Sequence, residues 1–356
     1  MLRPEISSLV RYIPGKPISE VQKEYSLSQV HKLASNENPL GPSPLAVHAV
    51  RENLNELNLY PDASALALRQ RLAEHWQVNS DQIVVGDGSD ELLRLIASLF
   101  ISPESEAVMA DVTFGVYAHA VKLMGGKAVK VPLKEYKHDL EGMLSACNAN
   151  TKMVFVCNPN NPTGTYLDKT EIDDFVAVLP KHIVVVFDEA YYEFVRSHNP
   201  SDGLNLLRAG RKVAVMRTFS KAYGLAGLRI GYVITTVEFA AALNTVRAPF
   251  NVNALAQVAG RAALDDNLHL SATLDNNRKG LNRLTGALKD LGCTVVPTQA
   301  NFLLTDVKSD SRLLYPRLLS HGVVVRPGYE FGMSNYLRIS IGLPEQIEAC
   351  IRALSI

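Results

Sequence analysis

The run Val213-Ala214-Val215-Met216-Arg217-Thr218 leads into Phe219-Ser220-Lys221-Ala222-Tyr223-Gly224-Leu225-Ala226-Gly227-Leu228-Arg229, and the fold turns on how this stretch is read. Its first half predicts a strand, and the glycines that follow predict an abrupt end to it. A lysine therefore stands at a glycine-flanked strand end, with the hydroxyls of Thr218 and Ser220 before it and the guanidinium of Arg229 eight residues after it. Alone, Lys221 reads as a surface lysine. In combination, an amine beside hydroxyl and guanidinium donors suits a phosphate-bearing ligand.

Outward from this stretch the same texture recurs. Ile83 to Val85, Lys152 to Cys157 and Ile183 to Phe187 are further short β-branched runs set between helical stretches. Several of these runs are apolar at consecutive positions, as strands buried on both faces are, which predicts a parallel α/β sheet under helices. Ligand sites in such sheets gather at the carboxyl ends of the strands. One of those ends is Asp188-Glu189-Ala190-Tyr191, a carboxylate just beyond a buried strand, poorly solvated unless something cationic meets it. Another is Gly86-Asp87-Gly88-Ser89-Asp90, where a helix starts at Ser89 and Asp90 and its free N–H groups form an anion site. Gly86 and Gly88 permit close approach there.

The flanks have a different character. Residues 1–42 are rich in Pro and Gly and read as an arm that wraps something. Helices are expected from Ser43, with Pro44 at the first position, and from Ser64, with Ala65, Leu68, Leu72 and Trp76 on one face. After about residue 260 one long helix is expected, with Leu274, Leu281, Leu284, Leu288 and Leu291 on one face and Gly292 as its stop. Val295, Asn301 to Leu304, Val323 to Arg326 and Tyr336 to Ile341 read as strands of a smaller α+β domain, closed by a helix after Pro344. In Tyr336 to Ile341 the apolar residues alternate with Tyr336, Arg338 and Ser340, so Arg338 projects from the face opposite the apolar one.

With 356 residues the chain is too long for one compact core. The expected division is the arm, a large domain over 43–255 and a small domain over 256–356. Lys plus Arg and Asp plus Glu are 36 each, so there is no general attraction for nucleic acid or anionic membrane. Cys147, Cys157, Cys293 and Cys350 form no C-x-x-C pair and suggest neither a metal site nor a disulfide framework. The N-terminus has no apolar leader segment and no stretch is long enough to span a bilayer, so the expected address is cytoplasmic.

Ser220-Lys221-Ala222-Tyr223-Gly224-Leu225-Ala226-Gly227-Leu228-Arg229 is similar to the lysine segment of the class I/II, fold-type I aminotransferases. Asn158-Pro159-Asn160-Asn161-Pro162-Thr163-Gly164, Asp188-Glu189-Ala190-Tyr191 and Gly86-Asp87-Gly88-Ser89-Asp90 resemble, in order, that family's asparagine turn, its aspartate segment and its phosphate turn. The likeness covers essentially the full length. It implies an α/β fold-type I PLP-transferase, with a mostly parallel seven-stranded sheet under helices plus a smaller α+β domain. It also implies pyridoxal 5′-phosphate as cofactor and a homodimer.

The resemblance distributes roles as follows. Lys221 is the Schiff-base lysine and proton carrier, Asp188 the partner of the pyridine nitrogen, and Tyr191 and Asn161 the hydrogen-bond donors to the ring oxygen. Ser89, Asp90, Thr218, Ser220 and Arg229 hold the phosphate. Phe114 stacks on the ring, with Tyr117 in the same turn as the alternative, and Tyr60 reaches the cofactor phosphate of the neighbouring subunit. Arg338 takes the position of the arginine that binds the substrate α-carboxylate.

Tyr12 in the arm, Ala34-Ser35-Asn36-Glu37-Asn38-Pro39, Leu59-Tyr60-Pro61-Asp62 and Arg247-Ala248-Pro249-Phe250-Asn251 resemble the histidinol-phosphate branch of that family. That branch implies L-histidinol phosphate, 2-oxoglutarate and L-glutamate as substrates, with Arg326 and Tyr12 beside Arg338 near the distal anion or ring, and Asn36 near the entrance. The alternatives that share these motifs are an aromatic amino-acid aminotransferase and a threonine-phosphate decarboxylase. A sensor fused to a DNA-binding domain would need an additional basic N-terminal domain.

Overall fold

The computed structural model describes residues 4–7, 9 and 15–355, so Tyr12 lies outside the described residues. The strands run in order as β1 (His31–Lys32), β2 (Ile83–Asp87), β3 (Glu106–Ala110), β4 (Lys127–Val131), β5 (Thr151–Cys157), β6 (Val184–Asp188), β7 (Val213–Thr218) and β8 (Ile230–Ile234), then β9 (Thr294–Val295), β10 (Phe302–Asp306), β11 (Val323–Val324), β12 (Arg326–Pro327) and β13 (Tyr336–Ser340). Seven of them form one sheet in the order β2-β8-β7-β6-β5-β3-β4, parallel except for β8, which runs against both neighbours.

Consecutive apolar residues in these strands face opposite ways, because side chains alternate across a sheet. Ile83, Val85, Val154, Val156, Val185, Phe187, Val213 and Val215 enter one core cluster. Val84, Met153, Phe155, Val184, Val186, Ala214 and Met216 enter the other, on the second face. Helices cover both faces, so the strands other than the edge strand β4 are buried on both sides, as the unbroken apolar runs require. The sequence reading omitted β3, β4 and β8. Of these, β4 is an edge strand whose lysines break the apolar run, and β8 follows the Arg229 turn immediately and returns antiparallel.

The single long helix expected after residue 260 is present as Asn267–Asp290, with Gly292 just beyond its end, and a separate shorter helix precedes it. Ala254–Ala263 packs on Pro44–Glu52 and Leu66–Trp76, and Asn267–Asp290 follows after a break at which Asp266 accepts a hydrogen bond from the His269 N–H. Leu281, Leu284 and Leu288 of the second helix are buried, and the chain leaves it through Gly292 at φ +78°, a conformation glycine adopts without strain. Strands β12-β13-β10-β9 form a second, antiparallel sheet, and β1 pairs in parallel with β11. Val21, Val30, Leu33 and Ala34 share a core with Leu284, Leu303, Ile339 and Ile347, so the stretch before residue 42 is clamped onto this C-terminal layer. The cleft between the two layers lies at the carboxyl ends of β5, β6 and β7.

Candidate active site

Strands β5, β6 and β7 end side by side, in register: Cys157 is opposite Asp188, and Asp188 opposite Met216. This brings the Asn158 turn, Asp188 and the Lys221 segment to one edge. Lys221 Nζ donates to the Ser35 carbonyl at 3.2 Å and lies 5.7 Å from the centre of the Tyr191 ring. Burial, reinforced by the nearby Arg338 charge, pulls the ammonium pKa from the ordinary lysine value down to about 8. A lysine so placed supplies free amine near neutral pH, which nucleophilic and proton-transfer chemistry needs.

Asp188 is almost fully buried. One carboxylate oxygen accepts from the Tyr117 hydroxyl at 2.6 Å and the other from the Ala190 N–H at 3.1 Å. No cation forms an ion pair with it among the described residues, and burial pushes its pKa up. A buried carboxylate with hydrogen bonds but no opposite charge is costly to keep ionised, and a bound cationic group would relieve that cost.

Tyr117 is not available to stack on a ligand. It is fully enclosed, stacked on Phe155 at 4.8 Å, and its hydroxyl is committed to Asp188. Phe114, half-buried and edge-on to Tyr117 at 5.6 Å, is the aromatic of that turn that is not enclosed. The Tyr117–Asp188 bond was invisible in sequence because the partners are 71 positions apart.

The phosphate turn has a distinct geometry. Gly88, at φ +74°, opens the helix Gly88–Phe100, with Ser89 and Asp90 in its first turn. A Cβ on Gly88 would lie 2.6 Å from Arg229 Nη2 and push the guanidinium away from this helix N-terminus, and the positive φ disfavours any other residue there. The Ser220 N–H donates to Thr218 Oγ1 at 3.1 Å, and the Thr218 hydroxyl in turn contacts the Ile230 carbonyl, so Thr218 holds the turn together from inside. Beneath the turn, Glu91 accepts from the Asp87 N–H at 2.6 Å and from Asn251 Nδ2 at 2.8 Å, and Arg247 donates to Asn251 at 3.0 Å. That support comes from the Arg247-to-Asn251 motif, to which the sequence reading gave no structural task.

On the opposite wall, Arg338 Nη1 donates to Asn161 Oδ1 at 2.6 Å and Nη2 to the Ala34 carbonyl at 2.5 Å. Asn36 Nδ2 donates to the Tyr191 hydroxyl at 3.0 Å, while the Ser340 hydroxyl donates to Asn36 Oδ1 at 2.8 Å. Lys221, Asp188, Tyr191, Asn161, Asn36 and Arg338 thus meet in one cleft. Arg326 sits across from Arg338 in the β12–β13 ladder and forms an ion pair with Glu330 at 2.6 Å. Tyr60 stands apart from this chain's cleft: it is 83% exposed and stacks on Phe250 at 4.7 Å. Among the described residues no cluster of His, Cys, Asp and Glu could hold a metal, and no helix is long and apolar enough to cross a membrane.

Fold and cleft together define an aminotransferase of the doubly covered α/β type, and the chain belongs to the aminotransferase class I and II family, whose model matches residues 28–354. It is 46% identical to the histidinol-phosphate aminotransferase of Moorella thermoacetica over 99% of this chain and 92% of that protein. It is equally 46% identical to that of Akkermansia muciniphila, over 98% and 96%. Among solved structures it resembles the histidinol-phosphate aminotransferase of Sinorhizobium meliloti in complex with pyridoxal-5′-phosphate, with a TM-score of 0.92 and 29% identity, covering 99% of this chain and 96% of that one.

Proposed function

We propose that this chain transfers an amino group between L-histidinol phosphate and 2-oxoglutarate, giving imidazole acetol phosphate and L-glutamate, a step of L-histidine biosynthesis, with pyridoxal 5′-phosphate as cofactor. The observation that carries the reading is the convergence of a buried amine, Lys221, a buried carboxylate without a cation, Asp188, and the Asn161-anchored Arg338 in one cleft. The names of its relatives support the choice of donor.

The residues present fit the cofactor. Asp188 lacks the cation that a protonated pyridine nitrogen provides, and at the Gly88 turn the missing Cβ leaves Arg229 room beside the helix N-terminus. When bound, pyridoxal 5′-phosphate supplies an electron-withdrawing ring conjugated to the substrate α-carbon, which makes that carbon's proton acidic. Asp188 would hold the proton on the ring nitrogen. Ser89, Asp90, Ser220 and Arg229 would hold the phosphate, with Thr218 stiffening the turn behind Ser220. Tyr191 and Asn161 would hold the ring oxygen, and Phe114 is the aromatic available to the ring. Lys221 Nζ would take the proton from the substrate α-carbon and deliver it to the carbon that receives the amino group, which a pKa of about 8 allows at neutral pH. Arg338 binds the carboxylate of glutamate and 2-oxoglutarate, and Arg326 and Asn36 are the further polar groups proposed for the distal anion.

The working unit in this proposal is a homodimer. Leu57, Leu59 and Tyr60 are each more than 60% exposed on one loop, an apolar surface that a second copy would cover, bringing Tyr60 to the partner's phosphate site.

The test is single-turnover conversion of the cofactor with L-histidinol phosphate, L-phenylalanine or L-tyrosine at matched concentrations. A strong preference for histidinol phosphate, with glutamate produced from 2-oxoglutarate in the reverse half, is the expected result. Equal or faster aromatic rates would make the aromatic amino acids the donors. Release of carbon dioxide from O-phosphothreonine without glutamate formation would replace transamination by decarboxylation.

A further inference from the structure

Asn161, which orients Arg338, belongs to a polar circuit that crosses the cleft and returns. Next to it, Asn160 Nδ2 donates to Thr163 Oγ1 at 2.9 Å. The Thr163 and Thr165 hydroxyls meet at 2.7 Å, and Thr165 Oγ1 donates to the Tyr136 carbonyl at 2.7 Å. Tyr136 then crosses to the C-terminal layer, where its hydroxyl meets that of Tyr336 at 2.8 Å with the ring centres 6.0 Å apart. Tyr336 lies two residues before Arg338 on the same face of β13, and Arg338 closes the circuit on Asn161.

Two further observations mark this circuit as built. Tyr136 sits in a tight reversal, Lys134 to Lys137, closed by hydrogen bonds of 2.9 and 3.0 Å, in which both Glu135 and Tyr136 take positive φ, +50° and +65°. Successive left-handed non-glycine residues persist only where the surroundings over-determine them. Here the Thr165 hydroxyl on the carbonyl and the Tyr336 hydroxyl on the phenol are those surroundings. Both tyrosines are half-buried, and Tyr136 lines an open groove with Val112, Leu133 and Met333. Water can therefore replace a lost hydroxyl, and removing one leaves no buried polar group stranded.

We propose that Tyr136 and Tyr336 are positioning residues: their hydroxyl pair ties β13 to the large layer and sets the reach of Arg338 toward the substrate carboxylate. This rests on the assignment of Arg338 above. Neither tyrosine touches the reacting atoms. Their joint fixes how far β13 stands from the Asn161 turn.

The test compares the holoenzymes of Tyr136→Phe, Tyr336→Phe and the double variant. KM for 2-oxoglutarate should rise about fivefold in each single variant, the equivalent of one lost hydrogen bond, with kcat within about twofold. The double variant should be no worse than either single one, because both remove the same bond. Cofactor affinity and the thermal midpoint should stay as in the wild type. An unchanged KM, or additive losses in the double variant, overturns the proposal, as does a loss of cofactor or of kcat alone. Arg338→Lys separates the two readings. If it raises KM while the tyrosine variants do not, the joint is wrong; if it too leaves KM unchanged, the assignment of Arg338 is wrong.

Discussion

Asp188 and Glu189 are neighbours in the chain, both nearly free of solvent, yet they end in chambers of opposite kind. Glu189 meets a cation. Arg217 Nε and Nη2 donate to one of its oxygens at 2.8 and 2.6 Å, and the Gly203 N–H to the other at 2.9 Å. Arg217 also reaches Asp202 at 2.9 Å and lies between the Trp76 and Tyr192 rings, 3.8 Å from each centre. Burial is the largest single influence and lowers the Arg217 pKa, but Glu189 together with Tyr232, Asp202 and Tyr192 outweighs it and the guanidinium pKa is raised. Asp188 receives only a phenol and an amide. A buried carboxylate whose cation comes from the same chain is framework, whereas one whose cation must come from elsewhere is a socket. Two consecutive acids therefore separate folding from chemistry, and substitutions on the two sides should be read by different instruments.

On the socket side the response should be in rate. Lys221→Ala removes the group proposed as proton carrier, so turnover should fall by about 10²- to 10⁴-fold while urea unfolding of the apoprotein shows no loss of stability, since burial works against the ammonium. Borohydride should no longer fix the cofactor to the chain, as read by mass spectrometry. If turnover survives, the chamber around Asp188 is not where the chemistry occurs. Asp188→Ala comes next, with an expected loss of about 10²- to 10³-fold in kcat, the size of a deleted charge aimed at the reacting system. Apoprotein stability is the sharper readout here. A carboxylate with no cation destabilises the empty chamber, so Asp188→Asn should be no less stable than wild type, and a clear loss would mean that a hidden counter-charge exists.

On the framework side the response should be in stability. Glu189→Gln leaves Arg217 buried with only Asp202 as a charged partner, and a cost of about 3 kcal/mol in urea unfolding is expected. The kcat of the fraction that remains folded should change little. A large loss of kcat with unchanged stability would reverse the comparison.

How much of this contrast was legible beforehand follows from how far each contact reaches along the chain. Lys221, Asp188 and the Gly88 turn could be read because each stands at, or within three residues of, the end of a buried strand, and such a sheet gathers its ligand site at those ends whatever the helices do. The identity of the chambers could not be read in the same way. Arg217, inside an apolar strand, gave no sign that it would face Glu189, 28 positions earlier, and Tyr117 and Phe114 were indistinguishable until one was found enclosed on Phe155. The arginine wall is more distant still. Arg338 meets Ala34, and Asn36 meets Ser340, each across 304 positions, so these contacts depend on how the arm folds back onto the C-terminal layer.

His138 offers the finest test, because it shares one property with each chamber. It is buried and held by one contact, its Nε2 lying 3.2 Å from Asn160 Oδ1, while Nδ1 has no hydrogen-bond partner among the described residues. Asn160 Oδ1 can only accept, so Nε2 is the nitrogen assigned a proton. Burial, the larger influence, lowers the pKa from 6.5 to about 4, although the Asn160 bond opposes it. Because the folded value lies below the unfolded one, the unfolded chain takes up a proton between those limits and the folded chain does not. The stabilising contribution is complete above about pH 6.5 and is lost as the pH falls toward 4. In urea unfolding at pH 7 and pH 5, the wild type should lose about 2 kcal/mol more than His138→Gln over that interval. Like the Asp188 chamber, this one has no internal counter-charge; like the Glu189 chamber, it should speak through stability alone. Equal slopes for the two proteins would show that His138 is already protonated or hydrated when folded, and that an unpaired buried group in this layer need not be a socket.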